Sequence, residues 1–234
     1  MQSNAIPDMI ETSVGPRLCF RSPVPEIALA ARLLDDAVTA HQLGQFSNAE
    51  LLIKMADMPV IRDWTESVWG KSSPYVQRMV VLDAPAVLES AERSKSRMPS
   101  EAEKRALIQR DGYHCRFCQV PVIRSETRKL IRHLYSEALP RGQSNISQHA
   151  AFQAMWLQYD HVLPHARARE DGLNNFVITC AACNFGRMES TLAEVGLQDP
   201  RDRAPFHSSW DGLEGLHTTQ TVQSILVKKS ATKE

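Results

Sequence analysis

Asp160-His161-Val162-Leu163-Pro164-His165 and, after a short loop, Asn174-Asn175-Phe176-Val177-Ile178-Thr179-Cys180-Ala181-Ala182-Cys183-Asn184-Phe185-Gly186-Arg187 decide how this chain is read. The run collects an acid, histidines, asparagines and two cysteines, which are the residue types of metal chemistry. Asp offers a hard anionic oxygen, Asn a neutral one, and His a base that titrates near neutrality. Cys180-x-x-Cys183 is half of a tetrahedral zinc site, and Cys115-x-x-Cys118 upstream supplies a second half. Paired CxxC units also occur as redox centres, and a zinc ribbon without catalysis would use the same four ligands.

The pattern around this stretch predicts a strand over Met155 to Asp160. A second strand follows over Asn175 to Thr179, rich in β-branched and aromatic residues, and then a helix from Ala181 to Val195, stopped by Gly196. The order is strand, loop, strand, helix. Asp160 and His161 are adjacent, so on a strand their side chains point to opposite faces. Both can serve one site if the strand ends there, which Pro164 favours. Asn184 and Arg187 are three apart and share a helix face, as do Cys180 and Cys183.

Immediately upstream, Ser100-x-x-Glu103 is a capping box. It opens a helix over Glu101 to Arg110, which ends at Asp111-Gly112 with Gly expected in the left-handed conformation. The Cys115–Cys118 knuckle follows. Residues 124–139 read as a basic helix with Leu130, Ile131, Leu134 and Leu139 as its apolar positions. Ser147 is expected to cap a helix running through Ala154.

Further out, residues 1–24 read as an irregular lead-in. A helix starting at Glu26 carries Ile27, Ala30, Ala31, Leu34, Val38 and His41 at three- and four-residue spacing and breaks at Gly44. Ser47-x-x-Glu50 reads as a second capping box, opening a helix to about Asp57 with Leu51, Leu52 and Met55 on one side. Pro59 suits the first turn of a third helix, with Ile61, Trp64 and Val68, stopping at Gly70. Residues 90–99 are polar and charged and read as a linker. The chain therefore divides into an N-terminal helical domain (1–95), a site-bearing domain (100–196) with a basic helical insertion at about 120–154, and a C-terminal extension (197–234) in which Trp210 and Leu213 are pinned to the body ahead of a loose tail. The fold class is α+β, mostly helical.

Lys plus Arg and Asp plus Glu both number 27, so net charge argues neither for nor against a nucleic-acid partner. Its distribution says more. Residues 1–96 hold nine basic and twelve acidic side chains, whereas residues 104–141 hold nine basic and three acidic ones. No apolar run approaches a membrane span and no signal-peptide pattern opens the chain, so the expected location is cytoplasmic, with no membrane partner. Cys19, outside both pairs, is expected to be an ordinary half-buried thiol.

Arg110-Asp111-Gly112, Cys115-x-x-Cys118, Asp160-His161-Val162-Leu163-Pro164, Leu173-Asn174-Asn175 and Cys180-x-x-Cys183-Asn184-x-x-Arg187, in this order, resemble the HNH endonucleases of the ββα-metal class. The resemblance covers about residues 101–195. It implies a ββα core with zinc knuckles, in which Asp160 and Asn184 hold a catalytic Mg²⁺ or Mn²⁺ and His161 is the general base. Asn175 would brace the loop and Arg187 would hold a phosphate. Cys115, Cys118, Cys180 and Cys183 would bind a structural Zn²⁺. It further implies a DNA substrate, expected to be double-stranded, with cleavage leaving 5′-phosphate and 3′-hydroxyl ends, in a setting such as bacterial restriction or phage defence. A homodimer or two visits would be needed for a double-strand break, and the N-terminal helices would serve to dock a protein partner.

Two features depart from the family pattern. About forty residues separate Cys118 from Asp160, read as a basic insertion near the substrate groove. His165 and Arg167 stand where small residues are usual, which leaves His165 open as spectator, ligand or substrate contact. His114 and His133 are expected at the surface. The alternative to a nuclease is a catalytically silent, zinc-stabilised module that binds nucleic acid or docks a partner.

Overall fold

Helix α1 (Glu26–Gln42) buries Ile27, Ala30, Ala31, Leu34, Val38 and His41, the face its spacing predicts. It folds back through Gly44, whose φ of +75° suits glycine, onto α2 (Phe46–Met55). The structure, a computed structural model, describes residues 15–69, 72–95, 97–139, 142–169 and 172–218. The first part of the lead-in, Gly70 and the tail beyond 218 fall outside these.

Helix α2 departs from the expectation. It starts two residues earlier, at Phe46 rather than after Ser47, with no side-chain cap, so the Ser47–Glu50 box does not form. Glu50 instead pairs with Lys54 at 2.6 Å. The buried residues are Ala49 and Ile53, while Leu51 and Met55 are exposed. Small Ala49 lets α2 lie close on α1, and that contact, rather than the bulkier side chains, selects the inner face.

Helix α3 (Pro59–Val68) begins with proline at its first turn and buries Ile61, Trp64, Thr65 and Val68. Residues 72–89 contain no helix or strand. The Ser100 cap of α4 (Glu101–Asp111) forms as expected, with the Ser100 hydroxyl accepting from the Glu103 amide. The helix stops at Gly112, with φ +68° and ψ −161°. This is a positive-φ conformation outside the left-handed helical region that was expected, and one that glycine alone adopts readily. A Cβ there would also meet His207 at 2.9 Å.

Helix α5 (Ser125–Leu134) is shorter than its basic pattern suggests. The chain leaves the helix at Tyr135, whose hydroxyl hydrogen-bonds His41 Nδ1 at 2.6 Å in the interior, and Leu139 is buried beyond it. Helix α6 (Ala150–Ala154) starts after His149, not at Ser147, which sits in a separate short turn. Among the described residues no helix is long and apolar enough to cross a membrane.

Strands β1 (Leu157–His161) and β2 (Phe176–Cys180) pair antiparallel, with Leu157 opposite Cys180 and His161 opposite Phe176. Helix α7 (Ala181–Arg187) follows directly. It is half the expected length, because the chain turns at Met188 with φ +55° and ψ −124°. That turn brings the Ser190 carbonyl onto the Arg187 guanidinium. The class is α+β, with one small sheet among helices in the described residues.

A two-stranded sheet is marginal by itself, and here both outer edges are covered. On β1, the Leu157 amide donates to Ile123 and the Ile123 amide to Met155. On β2, the Ile178 amide donates to buried Asp111 at 3.0 Å, its carbonyl accepts from the Arg116 amide, and the Phe176 carbonyl accepts from Arg110. The Arg110-Asp111-Gly112 motif is thus the clamp that fixes the second strand.

The helices before residue 70 share one hydrophobic cluster with the sheet and with α6 and α7. Helix α3 packs against both α6 and α7. Its approach to α7 is close at Gly186, where a Cβ would come within 2.9 Å of Val68. The Trp69 indole donates to the Ala181 carbonyl, and Arg78 to the Gly186 carbonyl. The linker at 90–99 therefore marks a change in chain composition and separates no cores.

His149 is buried between the two halves, its Nε2 donating to the Ile53 carbonyl at 2.8 Å. Burial holds its pKa below the ordinary 6.5, so the unfolded chain binds the proton more readily than the folded one. The stability this site contributes is complete above 6.5 and declines as pH falls below it. Melting should occur at lower temperature at about pH 5 than at about pH 7.5, and His149→Gln should narrow the gap. Identical pH dependence in both proteins would show that other groups carry the effect.

Candidate functional site

The knuckle after α4 and the β2–α7 junction bring Cys115, Cys118, Cys180 and Cys183 together. All four are buried, and their sulfurs lie within 4.8 Å of one another. The Cys118 and Cys180 sulfurs stand 3.5 Å apart. Four sulfurs around one zinc at about 2.3 Å stand about 3.8 Å apart, so the cluster has the composition and spacing of a structural zinc site. Burial raises Cys115, but hydrogen bonds from Cys118, Cys180 and Cys183 outweigh it and hold Cys115 well below the usual thiol value. Burial and Cys115 push Cys118 up, and Cys115 and the other thiols push Cys183 up. A dication would bind such a set as thiolates, releasing their protons. Cys19 is half-buried, as expected.

Beside the cluster, at the end of β1, a cavity of about 770 Å³ is lined by Asp160, His161, His165 and Asn184, with Arg93 and Arg97 also on its wall. Asp160 and His161 reach the same space although they alternate on the strand, because β1 ends at His161. The His161 ring rests against Phe176, at 4.3 Å between centroids, and edge-on to His165 at 5.5 Å. His165 is tied down by its Nε2, which donates to the Ser94 carbonyl.

Asn175 sits in the turn before β2. Its side-chain oxygen accepts from the Leu163 amide at 2.8 Å and its amide donates to the Leu163 carbonyl at 3.0 Å. The loop following His161 is thereby held by a two-point clasp. Asn184 lies on the first turns of α7, its amide 3.5 Å from Gln158 Oε1. Gln158 is a site residue that the sequence did not single out. Its signal was available, since it is two residues before Asp160 and so shares its strand face.

Arg187 requires a correction. Expected at a phosphate, it is fully buried. Its guanidinium grips Asp160 with both oxygens, at 2.5 and 3.2 Å, and donates to the carbonyls of His161, Val162 and Ser190. It positions the Asp160–His161 strand end and reaches no solvent. Burial raises the Asp160 pKa above its ordinary value, and Arg187 opposes that rise. Removing one partner of a buried pair costs about 3–5 kcal/mol. Arg187→Met should therefore lower the melting temperature by roughly 10 °C. A phosphate-binding surface arginine would leave melting unchanged, so an unshifted transition would reject this placement.

Two further expectations change. His114 is buried against Phe206, and burial takes its pKa down to about 4. The basic helix α5 turns part of its charge inward. Arg124 pairs with Glu214 at 2.6 Å, and Arg128 is buried over the Trp156 ring at 4.6 Å. Lys129 and His133 remain exposed. In the C-terminal extension, the Trp210 indole donates to the Val122 carbonyl and Leu213 is buried, which pins both as expected.

No family model, curated protein or solved structure matches this chain.

Proposed function

We propose that this chain is a metal-dependent endonuclease of the HNH type that hydrolyses phosphodiester bonds in DNA. The observation that carries the reading is the convergence of Asp160, His161 and Asn184 on one cavity, at a strand–strand–helix unit mounted on a four-cysteine cluster. Asp160 and Asn184 put one anionic and one neutral oxygen donor on the wall, a set that fits Mg²⁺ or Mn²⁺ retaining several waters. Such a cation, when bound, supplies positive charge opposite the phosphate and the leaving oxygen. The four cysteines hold the structural zinc.

His161 takes the proton from the attacking water. Water oxygen bonds to phosphorus as the bond to the 3′-oxygen breaks, and that oxygen leaves with a proton drawn from solvent. The ends are a 5′-phosphate and a 3′-hydroxyl. Asn175 fixes the loop and hence the His161 ring, and Arg187 fixes Asp160. One such site cuts one strand.

One observation favours a second reading, the silent zinc-stabilised binding module. Both Asp160 oxygens already accept from Arg187, which leaves a cation only their remaining lone pairs. Supercoiled plasmid incubated with the purified, zinc-loaded protein separates the two. Nicking with Mg²⁺ or Mn²⁺ that EDTA stops supports the nuclease, and intact plasmid under all these conditions rejects it in favour of the module.

A further inference from the structure

Part of the cavity wall comes from an unexpected part of the chain. Arg93, Arg97 and Met98 belong to the stretch that the sequence marks as a linker, yet they line the same space as Asp160 and His161. The stretch is laced to the loop after β1. The Leu88 amide donates to the Ala166 carbonyl at 2.8 Å and the Ser94 amide to the Ala168 carbonyl at 3.1 Å. The Ser94 carbonyl accepts from His165, and Arg169 pairs with Glu92 at 2.8 Å. Arg93 uses its Nε on the Leu88 carbonyl at 3.0 Å, which orients its guanidinium and leaves the two terminal nitrogens for another acceptor.

A second cavity of about 200 Å³ carries Lys104, Arg124, Trp156 and Tyr159 on its walls and shares Met98, Gln158 and Tyr159 with the first. The two form one trough running from Arg93 past the site to Lys104. The carboxylates along it are Asp160, Glu189 and Glu126, and Asp160 is paired with Arg187. On the rival basic element, α5, Arg128 is buried over the Trp156 ring, and Arg124 just before it is paired with Glu214.

We infer that Arg93 and Arg97 are substrate-positioning residues of this site, holding DNA backbone phosphates next to the scissile one, and that the segment before α4, not helix α5, supplies the main electrostatic contact. This inference rests on the nuclease reading. Guanidinium groups lining the same cavity as the assigned base and ligands, Arg93 held by its Nε, set the register of a strand without reading its sequence.

The test is binding of a fluorescent DNA duplex by full-length, zinc-loaded protein carrying His161→Ala, so that no cleavage intervenes, over a salt series. Adding Arg93→Ala and Arg97→Ala should weaken binding on the order of 10-fold and reduce the salt slope by about 2, one for each phosphate no longer held. Arg93→Lys with Arg97→Lys, which keeps the charge and the fold, should recover most of the slope. Lys129→Ala with His133→Ala on α5 should leave binding within about 2-fold. Unchanged affinity and slope in the double alanine variant, or an equal loss from the α5 pair, overturns the inference and leaves the nuclease reading standing. A parent protein that binds no DNA at any salt overturns both.

Discussion

His161→Ala is expected to abolish plasmid cleavage, with a loss on the order of 10³-fold for a general base removed from a positioned water. The ring is 8% exposed, lines the cavity and touches Phe176 and His165, so its removal enlarges a space open to solvent. Zinc content should match wild type, and the melting temperature should fall by no more than a few degrees. This combination distinguishes a catalytic residue from a structural one. Asn175→Ala would disturb the same loop through Leu163, but it removes no proton acceptor. Residual cleavage within a few-fold of wild type in His161→Ala would sink the base assignment, and the cavity would then need another acceptor, with His165 the nearest imidazole.

Loss of the cysteine-held metal should have the largest effect on the fold. Cys180 ends β2 and caps α7, and Cys115 and Cys118 sit on the knuckle whose neighbours clamp β2. One ion held by the four cysteines would join the strand end, the helix start and the knuckle. A structural zinc contributes about 10–16 kcal/mol in small zinc domains, against about 5–15 kcal/mol for the whole stability of a typical protein. Cys180→Ala, or stripping the metal with a strong chelator, should abolish cooperative melting or leave the protein insoluble. Elemental analysis of the wild type should return about one zinc per chain. A Cys180→Ala protein with an unchanged melting transition would argue that the four cysteines hold no structural metal.

These two experiments address different levels of the same unit. The first removes chemistry and keeps the fold; the second removes the support and takes the chemistry with it. A chelator series makes the separation visible, because a weak chelator strips a loosely held Mg²⁺ long before it competes for four thiolates. Activity should vanish first and the melting transition later.

Much of this was legible in the chain because it rests on local signals. The α1 face follows from apolar spacing, the α4 start from Ser100 and Glu103, and the α3 start from Pro59. The strand–strand–helix order follows from β-branched runs and from the helix signal after Cys180. Two CxxC pairs are a four-ligand metal set by composition alone, and their sulfurs do meet. The adjacency of Asp160 and His161 and the spacing of Asn184 and Arg187 were in the same way visible in the linear order.

What remained hidden depends on what lies opposite each residue in space. Arg187 has the charge of a phosphate ligand, yet five hydrogen bonds to Asp160 and three carbonyls bury it. Arg124 and Arg128 look like a nucleic-acid surface until Glu214 and Trp156 meet them. Arg93 and Arg97 sit in a stretch with no periodicity, and the bonds from Leu88 and Ser94 to Ala166 and Ala168 carry that stretch to the cavity. Local sequence determines backbone propensity and the stock of donors and acceptors. The tertiary fold decides which of those groups are satisfied inside and which are left facing solvent, because a buried polar group must find a partner and the nearest one is seldom its sequence neighbour.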